Sequence, residues 1–152
     1  MNYVIREACI EDTDEIFRLW KCLAEDHTFK LTGEKVNFDD VENNYANLIN
    51  DKDTIIYVAE SENKIVGFIE AYRKERLHDF DEPSIYVLHC YIEPSFRNSR
   101  MVHRFLATVM QVGKKEGIQH ISAHVFASNE KFYKNIKVLG FNEYKTLFLR
   151  EI

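Results

Sequence analysis

Glycine and proline are scarce in this sequence, with 5 and 2 residues among 152. Flexible linkers and low-complexity segments are rich in these residues, so their scarcity argues against such segments. Cysteine is rare as well: Cys9, Cys22 and Cys90 are odd in number, widely spaced and without a Cys-x-x-Cys pair. This pattern indicates neither a disulfide framework nor a metal site, and we expect all three cysteines to be small buried hydrophobic residues.

Two further features are missing: an excess of positive charge and a long apolar run. The net charge is −5 at pH 7, which argues against a general nucleic-acid-binding protein. No apolar stretch approaches the length of a membrane span, and residues 1–12 lack the apolar region of a signal peptide. We therefore expect a cytoplasmic protein with neither a nucleic acid nor a membrane as its partner.

The residues that are present favour one folded domain over residues 1–152, because 45% hydrophobic and 13% aromatic residues can fill a core. Apolar residues at helical spacing predict helices, and short apolar runs bounded by turn residues predict strands. The predicted strands lie at 3–8, 54–59, 65–72, 85–92, 118–126 and 144–149. One predicted helix follows an N-cap at Asp12 or Thr13, and the others lie at 41–49, from 101 onward and at 130–138; residues 25–40 are predicted to form a long loop.

This order of elements predicts an α/β fold with a mixed central sheet. The two strands at 54–72 form an antiparallel hairpin, whereas the strand-helix-strand unit at 85–126 requires parallel pairing with a right-handed crossover. We therefore expect an antiparallel N-terminal part, a parallel central pair and about four flanking helices. Ligands of such sheets bind beyond the carboxyl ends of the parallel strands, which places the site around 92–100 and 126–129.

The stretch Ile85–Glu116 has the layout of a phosphate-binding unit: strand, polar turn, helix N-terminus. The first amides of a helix have no intrahelical partner, and the helix dipole favours an anion there. Basic or potentially basic side chains crowd this point, namely Arg97, Arg100, His103 and Arg104. Glycine, which would let the backbone approach a phosphate closely, is absent from the turn.

The order and spacing of several fragments resemble the GNAT superfamily of acyl-CoA N-acyltransferases over nearly the whole chain. The fragments are Val4-Ile5-Arg6, Ile65-Val66-Gly67, Ile92-x-Pro94-x-Phe96-Arg97, and Asn129 with Gly140-Phe141. The resemblance implies that acetyl-CoA is the acyl donor and that the strand end, the loop and the last helix contact it. The cofactor-binding residues implied are Tyr91, Ile92, Arg97, Asn98, Ser99, Arg100, Met101, Val102 and Asn129.

The loop of this family reads Arg/Gln-x-x-Gly-x-Gly/Ala, and its backbone amides bind the pyrophosphate. Here Arg97 matches, but Arg100 and Val102 occupy the two glycine positions. Two interpretations stay open: the arginines replace the amides by charge-assisted hydrogen bonds, or they are solvated residues on a helix start that binds nothing.

The family's usual acid, a tyrosine five residues before the Phe of Gly-Phe, is also missing, because Ile136 occupies that position. Tyr133 lies three residues earlier and is our candidate acid, although a packing role is the alternative. Candidate bases that could deprotonate the amine are His89, within the strand, and Glu93, at its end. A core histidine and a solvated turn residue are the corresponding structural alternatives; His124 and Ser128 are further candidates.

Two functions follow from the resemblance. The first is an N-acyltransferase that moves an acetyl group from acetyl-CoA to a primary amine of a small molecule or protein. An acidic group could attract such a cationic acceptor; it comprises Glu25, Asp26, Asp79, Asp81 and Glu82. The alternative is a catalytically inactive GNAT-like domain with a binding or structural role, as in divergent relatives that include phage-encoded ones. The last strand could pair across a homodimer, as in some relatives.

Overall fold

The computed structural model describes residues 2–74, 83–97, 100–126, 129–148 and 150. Within these residues, five strands form one sheet in the order β1-β2-β3-β4-β5. The strands are β1 (Val4–Glu7), β2 (Thr54–Ser61), β3 (Lys64–Lys74), β4 (Ser84–Ile92) and β5 (His120–Ala123). The pairs β1–β2, β2–β3 and β3–β4 are antiparallel, and the pair β4–β5 is parallel. The predicted mixed α/β sheet is confirmed.

Four α-helices accompany the sheet in the described part of the chain: α1 (Thr13–Thr32), α2 (Tyr45–Asn50), α3 (Met101–Lys115) and α4 (Glu130–Val138). The loop predicted over 25–40 is wrong in its first half, because α1 continues to Thr32. Gly33, with φ of 75°, then ends the helix, and its N–H donates to the carbonyl of Phe29. Helix α2 begins four residues later than the predicted start at 41.

The sheet separates two apolar cores. Helices α1 and α2 cover one face through Ile16, Leu19 and Tyr45, which pack against β2 and β3 residues such as Phe68. Helix α3 covers the other face. Its buried residues form one stripe, as expected for an amphipathic helix: Met101, Phe105, Val109 and Gly113 are four residues apart, and Leu106 lies next to Phe105. The strands therefore lie between two helical layers, which explains their largely apolar sequences.

Strand β4 contains a bulge that changes which side chains face each core. Glu70 pairs with His89 and Ala71 with Val87, so Leu88 is an extra residue without a partner in β3. Val87 before the bulge and Cys90 after it both pack in the α3 core, whereas His89 faces α1 and α2. The pairing of β4 with β5 ends at Val87 and Ala123, while β4 continues to Ile92. The two parallel strands thus part beside the bulge.

Two sequence predictions are wrong at the level of local structure. Cys9 is exposed rather than buried, and Cys22 and Cys90 are partly buried; Cys9 lies before a single 3-10 turn, where its thiol contacts Asp12. The last strand is not formed over 144–148, where Leu147 and Phe148 are 92% and 89% exposed, and Leu149 lies outside the described residues. The described residues of this segment therefore do not join the five-stranded sheet.

Within the part of the chain that the structure describes, none of the helices combines the length and the apolar character that crossing a membrane requires.

Candidate active site

The turn before α3 keeps a glycine-like backbone although it contains no glycine. Arg100, the residue that precedes α3, has φ of 60° and ψ of 16°, in the left-handed region. A residue with a Cβ pays about 1–2 kcal/mol for this conformation. The resemblance of the sequence aligns this position with the first glycine of the family loop. Arg100 therefore adopts a backbone conformation that suits glycine better than arginine. Asn98 and Ser99, also predicted to bind the cofactor, lie outside the described residues.

Two of the arginines near this turn are engaged with other parts of the protein. Arg97 donates from Nε to the carbonyl of Ile92, at 3.0 Å, and from Nη2 to Asp26, also at 3.0 Å. The guanidinium of Arg104 lies 4.6 Å from the ring centre of Tyr3, a cation–π distance. Arg97 therefore links α1 to the end of β4.

The other predicted cofactor-binding residues divide between the two faces of the sheet. Tyr91 is buried on the α1 side, with the Arg97 guanidinium 5.4 Å from its ring centre. Ile92, Met101 and Val102 pack in or against the α3 core. Asn129 precedes α4, and its side-chain oxygen accepts a hydrogen bond from the N–H of Phe132. The structure thus gives packing or capping contacts to these residues, and their contact with a cofactor stays a prediction.

Glu93 is held by two cations. Its carboxylate lies 3.0 Å from Arg18 and 3.3 Å from Lys64, and its backbone N–H donates to the carbonyl of Val66. These contacts connect the end of β4 to α1 and to the start of β3. A carboxylate held between two cations is not free to contact an amine, so the geometry favours His89 over Glu93 as the base.

His89 belongs to a buried cluster centred on Glu70. His89 Nδ1 lies 2.9 Å from Glu70 Oε2, and the Tyr45 hydroxyl donates to the same oxygen at 3.1 Å. The Tyr72 hydroxyl donates to Oε1. Glu70 is 2% exposed, whereas 29% of the His89 side chain is exposed. The cluster therefore connects a buried carboxylate to an imidazole that solvent or a substrate can reach.

The pKa values in this cluster follow from burial and hydrogen bonding. Burial alone would raise the pKa of Glu70, but the hydrogen bonds from His89, Tyr72 and Tyr45 outweigh it and hold that pKa below its ordinary value. Burial and the adjacent Glu70 charge raise the pKa of Tyr45 and of Tyr72. Glu70 is thus a carboxylate and the tyrosines are neutral donors at pH 7.

A second imidazole lies beside the point where β4 and β5 part. His124 follows β5, and its Nδ1 is 2.8 Å from the hydroxyl of Tyr86 in β4. On the α1 side, the rings of His27 and Phe126 are in edge-to-face contact with centres 5.3 Å apart. Burial lowers the pKa of His27, which favours the neutral ring. The opening therefore has imidazole and aromatic groups from α1, β4 and the segment after β5.

The candidate acid lies on the exposed side of α4. Tyr133 is 37% exposed, and the ammonium of Lys137 is 5.5 Å from its ring centre. Ile136, which the resemblance places at the family's tyrosine position, is buried. Helix α4 begins and ends where the sequence predicts it, so Tyr133 still lies three residues before Ile136. The role of Tyr133 as the acid stays a prediction.

Sequence reasoning missed Glu70, Tyr45 and Tyr72. Glu70 and Tyr72 are two residues apart in a strand and must share a face, which is a usable signal. The links to Tyr45 and His89 span 25 and 19 residues, and pairing of β3 with β4 is needed to reveal them. Asp79, Asp81, Glu82 and Ser128 lie outside the described residues.

With this geometry in place, comparison with known proteins identifies the family. The sequence model of the Acetyltransferase (GNAT) family matches residues 14–141. The chain belongs to the GNAT acetyltransferase family. It is therefore a GNAT-type acetyltransferase, as the resemblance of its motifs implied. No curated protein matches it.

Several solved structures, including aminoglycoside acetyltransferases, have the same fold. A mutant of the BH1408 protein from Bacillus halodurans matches with a TM-score of 0.86 and 17% identity, over 98% of this chain and 99% of that one. The aminoglycoside N-acetyltransferase AAC(6')-Iy, in complex with CoA, matches with 0.75 and 18% over 98% and 99%. AAC(6')-Ih from Acinetobacter baumannii matches with 0.75 and 14% over 99% of each chain. At these identities the comparison shows a common fold.

Proposed function

We propose that this acetyltransferase transfers the acetyl group of acetyl-CoA to a primary amine of a small molecule, with His89 as the general base. One observation carries the proposal: the pairing of β4 with β5 ends at Val87, and the partly exposed imidazole of His89 follows directly, with Nδ1 fixed by Glu70. A reacting amine therefore has a base at the opening between the parallel strands.

The residues at the start of α3 fit the pyrophosphate of coenzyme A. The left-handed backbone of Arg100 reproduces the conformation that the family's glycine favours. The first N–H groups of α3 and the guanidinium groups of Arg97 and Arg100 are suitable donors to phosphate oxygens. When coenzyme A binds, the guanidinium of Arg97 would release Asp26 and donate to a phosphate oxygen instead.

The reaction requires a neutral amine and a proton for the departing thiolate. When bound, acetyl-CoA supplies the thioester. The Nε2 atom of His89 accepts a proton from the amine, directly or through a water, as the new C–N bond forms and the C–S bond breaks. Tyr133 is the candidate that protonates the thiolate. Structural neighbours that are aminoglycoside acetyltransferases support an amine of a small molecule as the acceptor.

Binding of coenzyme A is tested by thermal denaturation. Acetyl-CoA at a hundred times its dissociation constant should stabilise the native state by about 2.7 kcal/mol and raise Tm by several degrees. Replacement of Arg97 and Arg100 by Ala should largely abolish the shift. A matched control is the Lys114→Ala, Lys115→Ala variant, which removes the same charge from the other end of α3. If no acyl-CoA changes Tm at millimolar concentration, the proposal is wrong.

The role of His89 is tested by thiol release from acetyl-CoA with a panel of primary amines that includes aminoglycosides. His89→Gln should lower kcat by about 10²- to 10⁴-fold, the usual contribution of a general base. His120→Gln, which changes an exposed histidine at the opposite end of the parallel strands, should leave kcat unchanged. Equal activity of the His89→Gln variant and the wild type would exclude His89 as the base.

A further inference from the structure

Glu70 is a charged side chain in the middle of a sheet. It lies in β3, faces the apolar core beneath α1 and α2, and is 2% exposed. A carboxylate in such a place is costly unless its oxygens accept several hydrogen bonds. Three donors from three elements surround it: Tyr45 in α2, Tyr72 in β3 and His89 in β4. Packing alone would be served better by an apolar residue, so the cluster points to another role.

The cluster determines which nitrogen of His89 carries the hydrogen. An ionised carboxylate only accepts hydrogen bonds, so His89 must donate from Nδ1 to Glu70. Neutral His89 is then the Nδ1–H tautomer, and its lone pair is on Nε2. Because Glu70 holds the Nδ1 edge of the ring toward β3, the Nε2 edge faces away from β3.

We propose that Glu70 is a positioning residue that, supported by the hydroxyls of Tyr45 and Tyr72, fixes the tautomer and orientation of His89 for proton transfer at Nε2. This inference rests on the proposed function of His89 as the base. It assigns Tyr45 and Tyr72 a role as well: their donated hydrogen bonds keep Glu70 ionised, so that it accepts from His89. Without them, Glu70 could take up a proton and donate to Nδ1, which would reverse the tautomer.

Titratable groups from three elements lie around the Glu70–His89 pair and would enter a pH profile of kcat: His27 from α1, Tyr45 from α2, and Glu70 and Tyr72 from β3. His27 is itself influenced by Lys30 and Asp26 on α1. A pH profile therefore needs the His27→Gln variant as a reference, so that titration of His27 is separated from that of His89.

The deciding experiment uses Glu70→Gln in the full chain. The Gln side-chain amide can donate to Nδ1, which favours the wrong tautomer. We expect kcat to fall at least 100-fold, while the thermal shift caused by acetyl-CoA stays within a degree of the wild-type shift.

In ¹⁵N-resolved NMR spectra of the histidine rings, the wild type should show protonated Nδ1 at His89, and Glu70→Gln should show protonated Nε2. An unchanged tautomer in Glu70→Gln would overturn the inference.

Tyr72→Phe is the second variant, in case Glu70→Gln fails to fold. It keeps the Glu70–His89 contact but removes one donor, so the pKa of Glu70 should rise. We expect the acidic limb of the kcat profile to move to higher pH. A limb that stays in place would count against the role of Tyr72.

Loss of activity in His89→Gln together with wild-type kcat in Glu70→Gln would overturn the inference and leave the proposed function standing. Full activity of His89→Gln would instead overturn the proposed function.

Discussion

Arg100 combines a strained backbone with a charge that the proposed function uses. Its φ of 60° belongs to the region that glycine adopts freely, and the residue directly precedes the helix N-terminus, where the dipole favours an anion. Substitutions can separate the two properties, because Ala removes the charge but keeps the strain, whereas Gly removes both.

We predict that Arg100→Gly stabilises the fold by about 0.5–1 kcal/mol, because relief of the left-handed strain exceeds the entropy that glycine adds to the unfolded chain. Arg100→Ala should give no such gain, since Ala has the same strain as Arg. Urea denaturation with a common slope for all three proteins measures the difference. Equal stability of the Gly and Ala variants would contradict a strained Arg100.

Some residues of the candidate site could be predicted from the sequence and others could not. His89 and Arg100 were candidates because their residue types and places along the chain suit proton transfer and phosphate binding. Glu70 was not a candidate, because one acidic residue in an apolar strand looks like a residue on the solvent face. The role of Glu70 depends on its contacts with Tyr45 and His89, and these contacts exist only in the folded protein.

At the scale of elements, β3 and α3 approach closely through Gly67. A Cβ built on Gly67 would lie 2.9 Å from Met101 Sδ and 3.0 Å from the backbone oxygen of Tyr91. Gly67→Ala should therefore destabilise the fold by about 1–3 kcal/mol, since the carbonyl of Tyr91 cannot move without disturbing β4. Chemical denaturation measures this loss.

The matched control for Gly67→Ala is Gly113→Ala in α3. There the Cβ would meet the terminal methyl group of Ile85 at 3.1 Å, which can shift, and Ala favours the helix by about 1 kcal/mol. The two terms nearly cancel, so Gly113→Ala should be close to wild type in stability. A similar loss in both variants would mean that the contact with the Tyr91 carbonyl is not the cause.

Element type was easier to predict than element length. The helical spacing of Ile16, Leu19 and Leu23 predicted the start of α1 correctly. The second half of this helix is polar and shows no periodic apolar residues. That half is helical because tertiary contacts such as His27 with Phe126 stabilise it, and Gly33 supplies the end. The segment 144–148 shows the converse: residue types suited to a strand, such as Tyr144 and Phe148, form none there, because β-propensity depends strongly on tertiary context.

At the scale of the whole molecule, buried carboxylates couple stability to pH. Hydrogen bonding to Arg6 is the largest cause of the lowered pKa of Asp12, and the Glu70 cluster lowers that of Glu70 despite burial. Groups whose pKa is lower in the folded state stabilise it above the unfolded pKa, and this contribution is lost as pH falls through the folded value.

We predict that the free energy of unfolding decreases by on the order of 2 kcal/mol as the pH falls from 6 to about 3. Urea denaturation at several pH values measures this change. Asp12→Asn removes one of the linked groups, so that variant should start less stable at pH 6 and change less on acidification. A parallel decrease in the variant and the wild type would mean that Asp12 does not contribute.

The side chain of Arg97 has a consequence for how this protein responds to ionic strength. Its partner Asp26 competes with any phosphate that approaches the start of α3. Both groups are well exposed, so the pair is worth about 0.5 kcal/mol and lowers the apparent affinity about twofold. Dissolved ions weaken this internal competitor together with the attraction between arginine and phosphate. The affinity for coenzyme A should therefore fall less steeply with salt concentration than the number of arginines near the start of α3 alone predicts.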